Sequence, residues 1–222
     1  MEKLEKKIGY HFKNRAILEN ALTHCSYIGQ RENNERLEFL GDAVLELIIS
    51  EFLYTTQKLA EGKMTKIRSN IVCSESLAIA AEELELGKYL HMGKGERTTG
   101  GMDRKSNKAD AFEALLGAVF IDSDYYEARK LVLKLLDKNI KMALKGLLFQ
   151  DNKTRLQEVI QKDSDAHIKY RLNHSTGPEH NKIFFCDLLI NDELKTSGSG
   201  KSKKEAEQDA AKKYLLKDAI KD

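Results

Sequence analysis

The stretch from Ala109 to Ile121, ADAFEALLGAVFI, is apolar on every side of a helix except at Asp110 and Glu113. A helix apolar all round is buried, so other elements must wrap this one. Ala114, Gly117 and Ala118 leave room for a neighbour to pack closely. Asp110 and Glu113 stand one turn apart and enter the interior side by side. An ionised carboxylate there is costly unless it is paired or binds a cation. A structural salt bridge, for instance to Arg36 or Arg68, is one answer, but two adjacent acids need two matched bases. A metal ion is the more economical partner.

A second helix carries more acids. In Asn34 to Val44, NERLEFLGDAV, the residues Glu35, Glu38 and Asp42 follow at spacings of three and four. At about 100° per residue they fall within an arc of roughly 60°. Leu37, Leu40, Val44, Leu47 and Ile48 cluster opposite them. An acidic row of this kind is either a solvated face or a ligand set, and its spacing alone does not decide between them.

Hydrophobic residues make up 41% of the 222 and charged residues 32%, which suits a globular protein with a real core. A single proline and abundant Ala, Leu, Glu and Lys favour helix over the first two thirds. Net charge is only +2, so a polyanion site must come from local clustering. Cys25, Cys73 and Cys186 are scattered, and neither a C-x-x-C pair nor a zinc spacing occurs, so reduced thiols are expected. The charged N-terminus, MEKLEKKIGYHF, has no long apolar core, and no run approaches membrane-spanning length. The expected setting is cytoplasmic.

Taken in order, 2–8 and 14–22 read as short amphipathic helices, and the acidic helix runs over 34–54. Gly62 marks a break before helices over 64–72 and 74–84, the latter capped by Ser74. Residues 87–102 hold five glycines and read as a loop; Ser106 caps the buried helix, and one amphipathic helix spans 125–147. The pattern then changes. A short helix over 154–161, with Leu156, Val159 and Ile160 on one side, precedes strands over 167–173, 183–190 and 193–199. Asn191-Asp192 makes the hairpin turn, and Ser202 caps a last helix whose apolar face is Ala206, Ala210, Ala211, Tyr214 and Leu215. The expected fold is therefore two domains: an all-α domain over 1–146, a linker over 147–151, and an α-β-β-β-α domain over 152–221.

Lys201, Lys203 and Lys204 gather at the start of that last helix, after Gly198 and Gly200. Free N–H groups and the helix dipole already favour an anion there, and three lysines are electrostatically costly unless one answers them. Nucleic-acid phosphates are the natural partner. Phe184 and Phe185 are adjacent, so at most one faces each side of the sheet. That argues against stacking of single-stranded bases and for recognition of a duplex by shape.

With these residues in view, NERLEFLGDAVLE resembles the signature of bacterial ribonuclease III, and SNKADAFEALLGAVF resembles that family's second acidic motif. TRLQEVIQ, GPEH and GSGKSKKEAEQDAA resemble a double-stranded-RNA-binding domain. The match covers essentially the whole chain in the right order. The resemblance implies a homodimeric endoribonuclease that cuts both strands of duplex RNA, leaving 5′-phosphate and 3′-hydroxyl ends with short 3′ overhangs. It implies processing of ribosomal RNA precursors and other structured RNAs. It makes Glu38, Asp42, Asp110 and Glu113 the metal-binding, catalytic carboxylates, with Glu35, Glu61 and Asn70 in supporting places. Phe39 matches an aromatic knob entering the partner subunit, the plainer alternative being ordinary core. In the second domain it implies that Gln157, Glu158 and His180 reach two successive minor grooves while Lys201, Lys203 and Lys204 span the phosphates between.

Phosphodiester hydrolysis needs an activated water and a stabilised leaving oxygen, and hard oxygen ligands select Mg²⁺, with Mn²⁺ a substitute. His24 and His91 have no role assigned. Two departures from the family pattern stand out. Asn107-Lys108 replaces a usually apolar pair before Asp110, and Glu207 occupies the third lysine position. Glu46, one turn beyond Asp42, reads as a surface acid. A rival reading is a duplex-RNA-binding adaptor with a dead nuclease domain; the complete set of four carboxylates favours an enzyme. A third is an unrelated helical metal hydrolase joined to an RNA-binding module, which would need no dimer.

Overall fold

A computed structural model describes residues 1–29, 32–146, 148, 152–163, 166–178 and 182–218, without the side chains of 155, 158, 162, 163, 217 and 218. The chain forms two compact units, Met1–Phe149 and Gln150–Asp222. The first is helical: α1 (Glu2–Ile8), α2 (Arg15–Ala21), α3 (Glu35–Thr56), α4 (Glu61–Val72), α5 (Ser74–Glu83), α6 (Lys94–Thr98), α7 (Lys105–Asp122), α8 (Tyr125–Leu135) and α9 (Asp137–Leu144). The second runs α10 (Asn152–Asp163), β1 (Ile168–Thr176), β2 (Ile183–Ile190), β3 (Glu193–Gly200) and α11 (Lys203–Asp218). This is the expected class, an all-α unit followed by an α-β-β-β-α unit. Among the described residues no helix is long and apolar enough to cross a membrane.

In the helical unit α7 is the axis. Ala109, Ala111, Phe112, Ala114, Leu115, Leu116, Ala118 and Val119 are all buried in one core with residues of α1, α2, α3, α5, α8 and α9. Its closest neighbour is α3, and two glycines set the distance. A Cβ on Gly41 would stand 1.8 Å from the Glu113 carbonyl oxygen. One on Gly117 would stand 2.3 Å from the Leu37 carbonyl oxygen. The two backbones therefore touch. Glycine inside a helix costs about 1 kcal/mol against alanine; here it permits a contact that no side chain allows.

Several helix ends differ from the expectation. Gly62 does not break the chain but lies in the first turn of α4, which starts at Glu61. Ser74 is the first residue of α5 rather than its cap, and Cys73 in the cap position makes no side-chain hydrogen bond. Likewise α7 begins at Lys105, ahead of Ser106, without a side-chain cap. The helix expected over 125–147 is two, because Leu136 closes α8 through its N–H to Val132 and Asp137 opens α9. The expected loop over 87–102 contains α6 and two 3-10 turns, Leu86–Tyr89 and Gly101–Asp103. Most of the expected linker lies outside the described residues.

The second unit is an antiparallel sheet in the order β1-β2-β3. Asn191 and Asp192 both take positive φ, 52° and 61°, the geometry a two-residue hairpin requires. Leu156 of α10, Leu188 and Ile190 of β2, and Ala210 and Ala211 of α11 form its core. Val159, expected in this core, is 39% exposed. Ser202 caps α11 as expected: Glu205 N–H donates to its Oγ at 3.1 Å while Glu205 Oε2 accepts from Lys201 N–H at 2.8 Å. A Cβ on Gly198 would meet Ala210 N at 2.2 Å, so α11 lies directly on β3.

Gly41→Ala tests the seam. Helix propensity alone would add about 1 kcal/mol of stability, whereas overpacking against backbone costs up to about 3 kcal/mol. A net loss of about 2 kcal/mol is expected in urea unfolding. A gain in stability would mean that α3 and α7 separate freely.

Candidate active site

The glycine seam brings the acids of α3 and α7 together. Gly41 lies between Glu38 and Asp42, and across from it is the Glu113 backbone. One carboxylate oxygen from each of Glu38, Asp110 and Glu113 lies within 4.8 Å of the others, and all three side chains are half-buried. Asp42 is exposed at the edge of this trio. Among the described residues no Lys or Arg forms an ion pair with any of the four. Arg68 donates instead to the Ser50 hydroxyl at 2.9 Å. The structural salt bridge is therefore not the arrangement seen.

Like charges held together without a base raise one another's pKa. Burial, then the charges of Asp42, Asp110 and Glu38, push Glu113 up to about 8. Burial and then Asp110, Glu35 and Asp42 push Glu38 up as well. Asp110 is also raised by burial, with a charge on His24 acting against it. Three converging carboxylates with only oxygen donors suit a hard divalent cation, whose charge would offset the repulsion.

The remaining expected residues are spread out. Glu35 is exposed and bonded to Asn33, whose Nδ2 donates to it at 3.1 Å. Glu61 accepts from Thr65 Oγ1 at 3.0 Å and lines a separate groove between α3 and α4 with Leu47, Tyr54, Met64 and Arg68. The Asn70 side chain forms no hydrogen bond to the trio; its carbonyl accepts from Cys73 Sγ at 3.3 Å. Glu46 stands outside the trio, as expected. Phe39 is 80% exposed, so in this chain it is not core. With exposed Leu47 and Tyr54 it forms an apolar stripe along α3.

Two neighbours escaped the sequence reading. His24 carries a charge effect that draws the Asp110 carboxyl down against burial, and its Nδ1 accepts from the Ser26 N–H at 3.1 Å. Glu96 of α6 accepts from Arg104 at 2.6 Å and from Asn107 at 3.1 Å. It thus supplies the negative charge that the uncapped start of α7, with no acid in its own first turn, lacks. Asn107 also donates to the Gly101 carbonyl at 3.0 Å, which accounts for a polar residue at a position the family pattern makes apolar. The only local signal was that departure itself.

In the second unit Lys201, Lys203 and Lys204 are exposed at the start of α11, and Gln157 is exposed on α10. His180 and the Glu158 side chain lie outside the described residues. Phe185 stacks on His174 at 4.4 Å; by the strand period it lies on the opposite side from Leu188 and Ile190.

Comparisons with known proteins agree with this layout. Residues 14–140 match the family model described as Ribonuclease-III-like, and 152–217 match the double-stranded RNA binding motif. The Ribonuclease 3 of Caldanaerobacter subterraneus subsp. tengcongensis is 49% identical over 219 residues, covering 96% of each chain. That of Clostridium perfringens is 46% identical over 216 residues, covering 96% of this chain and 91% of its own. A solved structure of the nuclease domain of ribonuclease III from Campylobacter jejuni aligns with a TM-score of 0.60 at 42% identity, over 62% of this chain and 96% of that one. Acids meeting at a helix seam, in a chain that continues into a duplex-binding motif, define a metal-dependent double-stranded-RNA endonuclease. The chain belongs to the ribonuclease III family.

The raised Glu113 gives a pH prediction for the metal-free protein. Its folded pKa lies above the ordinary value, so the stability it contributes is full below about pH 4.5 and is lost as pH rises through about 8. The thermal midpoint in EDTA is expected to fall between pH 5 and 8.5, and Glu113→Gln is expected to flatten that fall. An equal slope in both proteins would count against the crowded cluster.

Proposed function

We propose that Glu38, Asp42, Asp110 and Glu113 hold Mg²⁺, or Mn²⁺ in its place, and that this site hydrolyses the phosphodiester bonds of double-stranded RNA. The observation that carries it is the convergence of Glu38, Asp110 and Glu113 without a compensating base. When bound, a divalent cation supplies the charge that makes water nucleophilic near neutral pH and stabilises the leaving 3′ oxygen. The chain's own part is to hold the carboxylates at a fixed spacing through the α3–α7 seam. Asp42, exposed at the edge, closes the side of the trio that faces solvent. Glu35 supports Glu38 from one turn earlier, and Asn70 and Glu61, on α4 and outside the trio, serve the RNA-facing surroundings of the site.

The nuclease domain occupies 1–146 and the RNA-binding domain 152–221, joined by 147–151. In the latter, Gln157, Glu158 and His180 contact minor-groove 2′-hydroxyls, and Lys201, Lys203 and Lys204 contact phosphates. Two cuts in a duplex need two sites, and a homodimer supplies them. The exposed stripe of Phe39, Leu47 and Tyr54 on α3, beside the α3–α4 groove, suits a twofold contact in which Phe39 enters the partner. Products carry 5′-phosphate and 3′-hydroxyl ends with short 3′ overhangs. Precursors of ribosomal RNA and other structured RNAs in the cytoplasm are the substrates.

A long RNA duplex with Mg²⁺ tests the chemistry. The unmodified protein is expected to cut, EDTA to stop it, and Glu38→Gln or Asp42→Asn to lower the rate by at least about a hundredfold with duplex binding retained. An intact duplex under both Mg²⁺ and Mn²⁺ would refute the reading. For the dimer, Phe39→Asp is expected to shift the mass in light scattering from two chains to one. A monomeric unmodified protein would exclude it.

A further inference from the structure

Glu207 is out of place. It follows Lys203 and Lys204 by four and three residues, so it shares their face of α11. An acid within a strip that meets phosphates repels them. The structure shows how its charge is met. Lys153, from α10, places its Nζ 2.6 Å from Glu207 Oε2. The same ammonium stands 4.4 Å from the centre of the Tyr170 ring. The Lys153 N–H donates to Gln208 Oε1 at 3.3 Å, which docks the start of α10 on α11. Both partners of the pair remain about one-third exposed, 34% for Lys153 and 29% for Glu207.

Lys153 lies four residues before the exposed Gln157 and so shares its face of α10. Its ammonium is therefore where the α10 face and the lysine strip of α11 meet. An ammonium has three N–H donors, and Glu207 needs one of them. We infer that Lys153 is a further RNA-binding residue: the third cation of the phosphate strip, delivered from α10 and held in place by Glu207 and the Tyr170 ring. The ligand is the phosphodiester backbone of duplex RNA, and the inference rests on the phosphate role proposed for Lys203 and Lys204. On this account Glu207 does not weaken the strip. It positions a lysine that comes from another helix.

The test is the salt dependence of binding, because a lysine on a phosphate releases a counterion and a purely structural lysine does not. Full-length protein is titrated into a fluorescent RNA duplex in EDTA at several KCl concentrations. Lys153→Ala is expected to weaken binding about tenfold and to lower the slope of log affinity against log salt by about one. Lys153→Arg is expected to keep both. If Lys153→Ala folds poorly, Lys153→Gln keeps the stem on Tyr170 and a donor for Glu207, with the same loss of slope expected. An unchanged slope in folded Lys153→Ala or Lys153→Gln overturns the inference. The doubly substituted Lys203→Ala, Lys204→Ala protein separates the two readings: if its slope is also unchanged, it is the phosphate role of the strip that fails.

Discussion

The contact on which the nuclease unit depends is between two backbones. Gly41 and Gly117 let α3 and α7 meet with no side chain between them, and the acids flanking those glycines are carried inward together. Each glycine gives up roughly 1 kcal/mol of helix stability relative to alanine. The crowded carboxylates cost more, since burial and mutual repulsion push Glu113 up to about 8 and raise Glu38 as well. Two destabilising features at one seam are the sign of a site kept for its chemistry. The surrounding core, from Leu4 to Leu148, carries the stability that the seam gives away.

Much of this was legible in the chain. The apolar helix around Phe112 had to be buried, so Asp110 and Glu113 had to be internal, and Ala114, Gly117 and Ala118 announced a close neighbour. The second unit was legible because its signals are local: alternating strand residues, Asn191-Asp192 at the turn, Ser202 at the start of α11. Less legible was whatever depends on two distant segments. Gly41 has no meaning until Glu113 lies against it. The His24 segment is fixed by His91, through a hydrogen bond of 2.9 Å from the His24 N–H to the His91 carbonyl. Helix ends were misread where the start lacks a side-chain cap, as at Cys73 and Arg104. Glu61, expected in a supporting place, lines another groove, between α3 and α4.

The two units solve the same electrostatic problem with opposite signs. In the first, acids are concentrated and a cation is needed to balance them. In the second, lysines are concentrated and an anion is needed. Each unit holds its charges on adjacent helix faces, and each is tightened by glycines that admit close backbone approach, at 41 and 117 in one and at 198 and 200 in the other. Duplex RNA, a polyanion cut with the help of cations, answers both.

The contact between Glu96 and the first turn of α7 has a consequence for how this family can vary. Glu96 and its partners Arg104 and Asn107 are separated by a tight segment in which Gly101 has no space for a side chain against Glu96. The length of that segment is therefore gauged against the helix that follows. Inserting or deleting a single residue between 97 and 103 would slip the acid off the helix end and let the turn before Asp110 unwind. Surface loops usually absorb such changes in length, but this one acts as a spacer for the helix that carries Asp110.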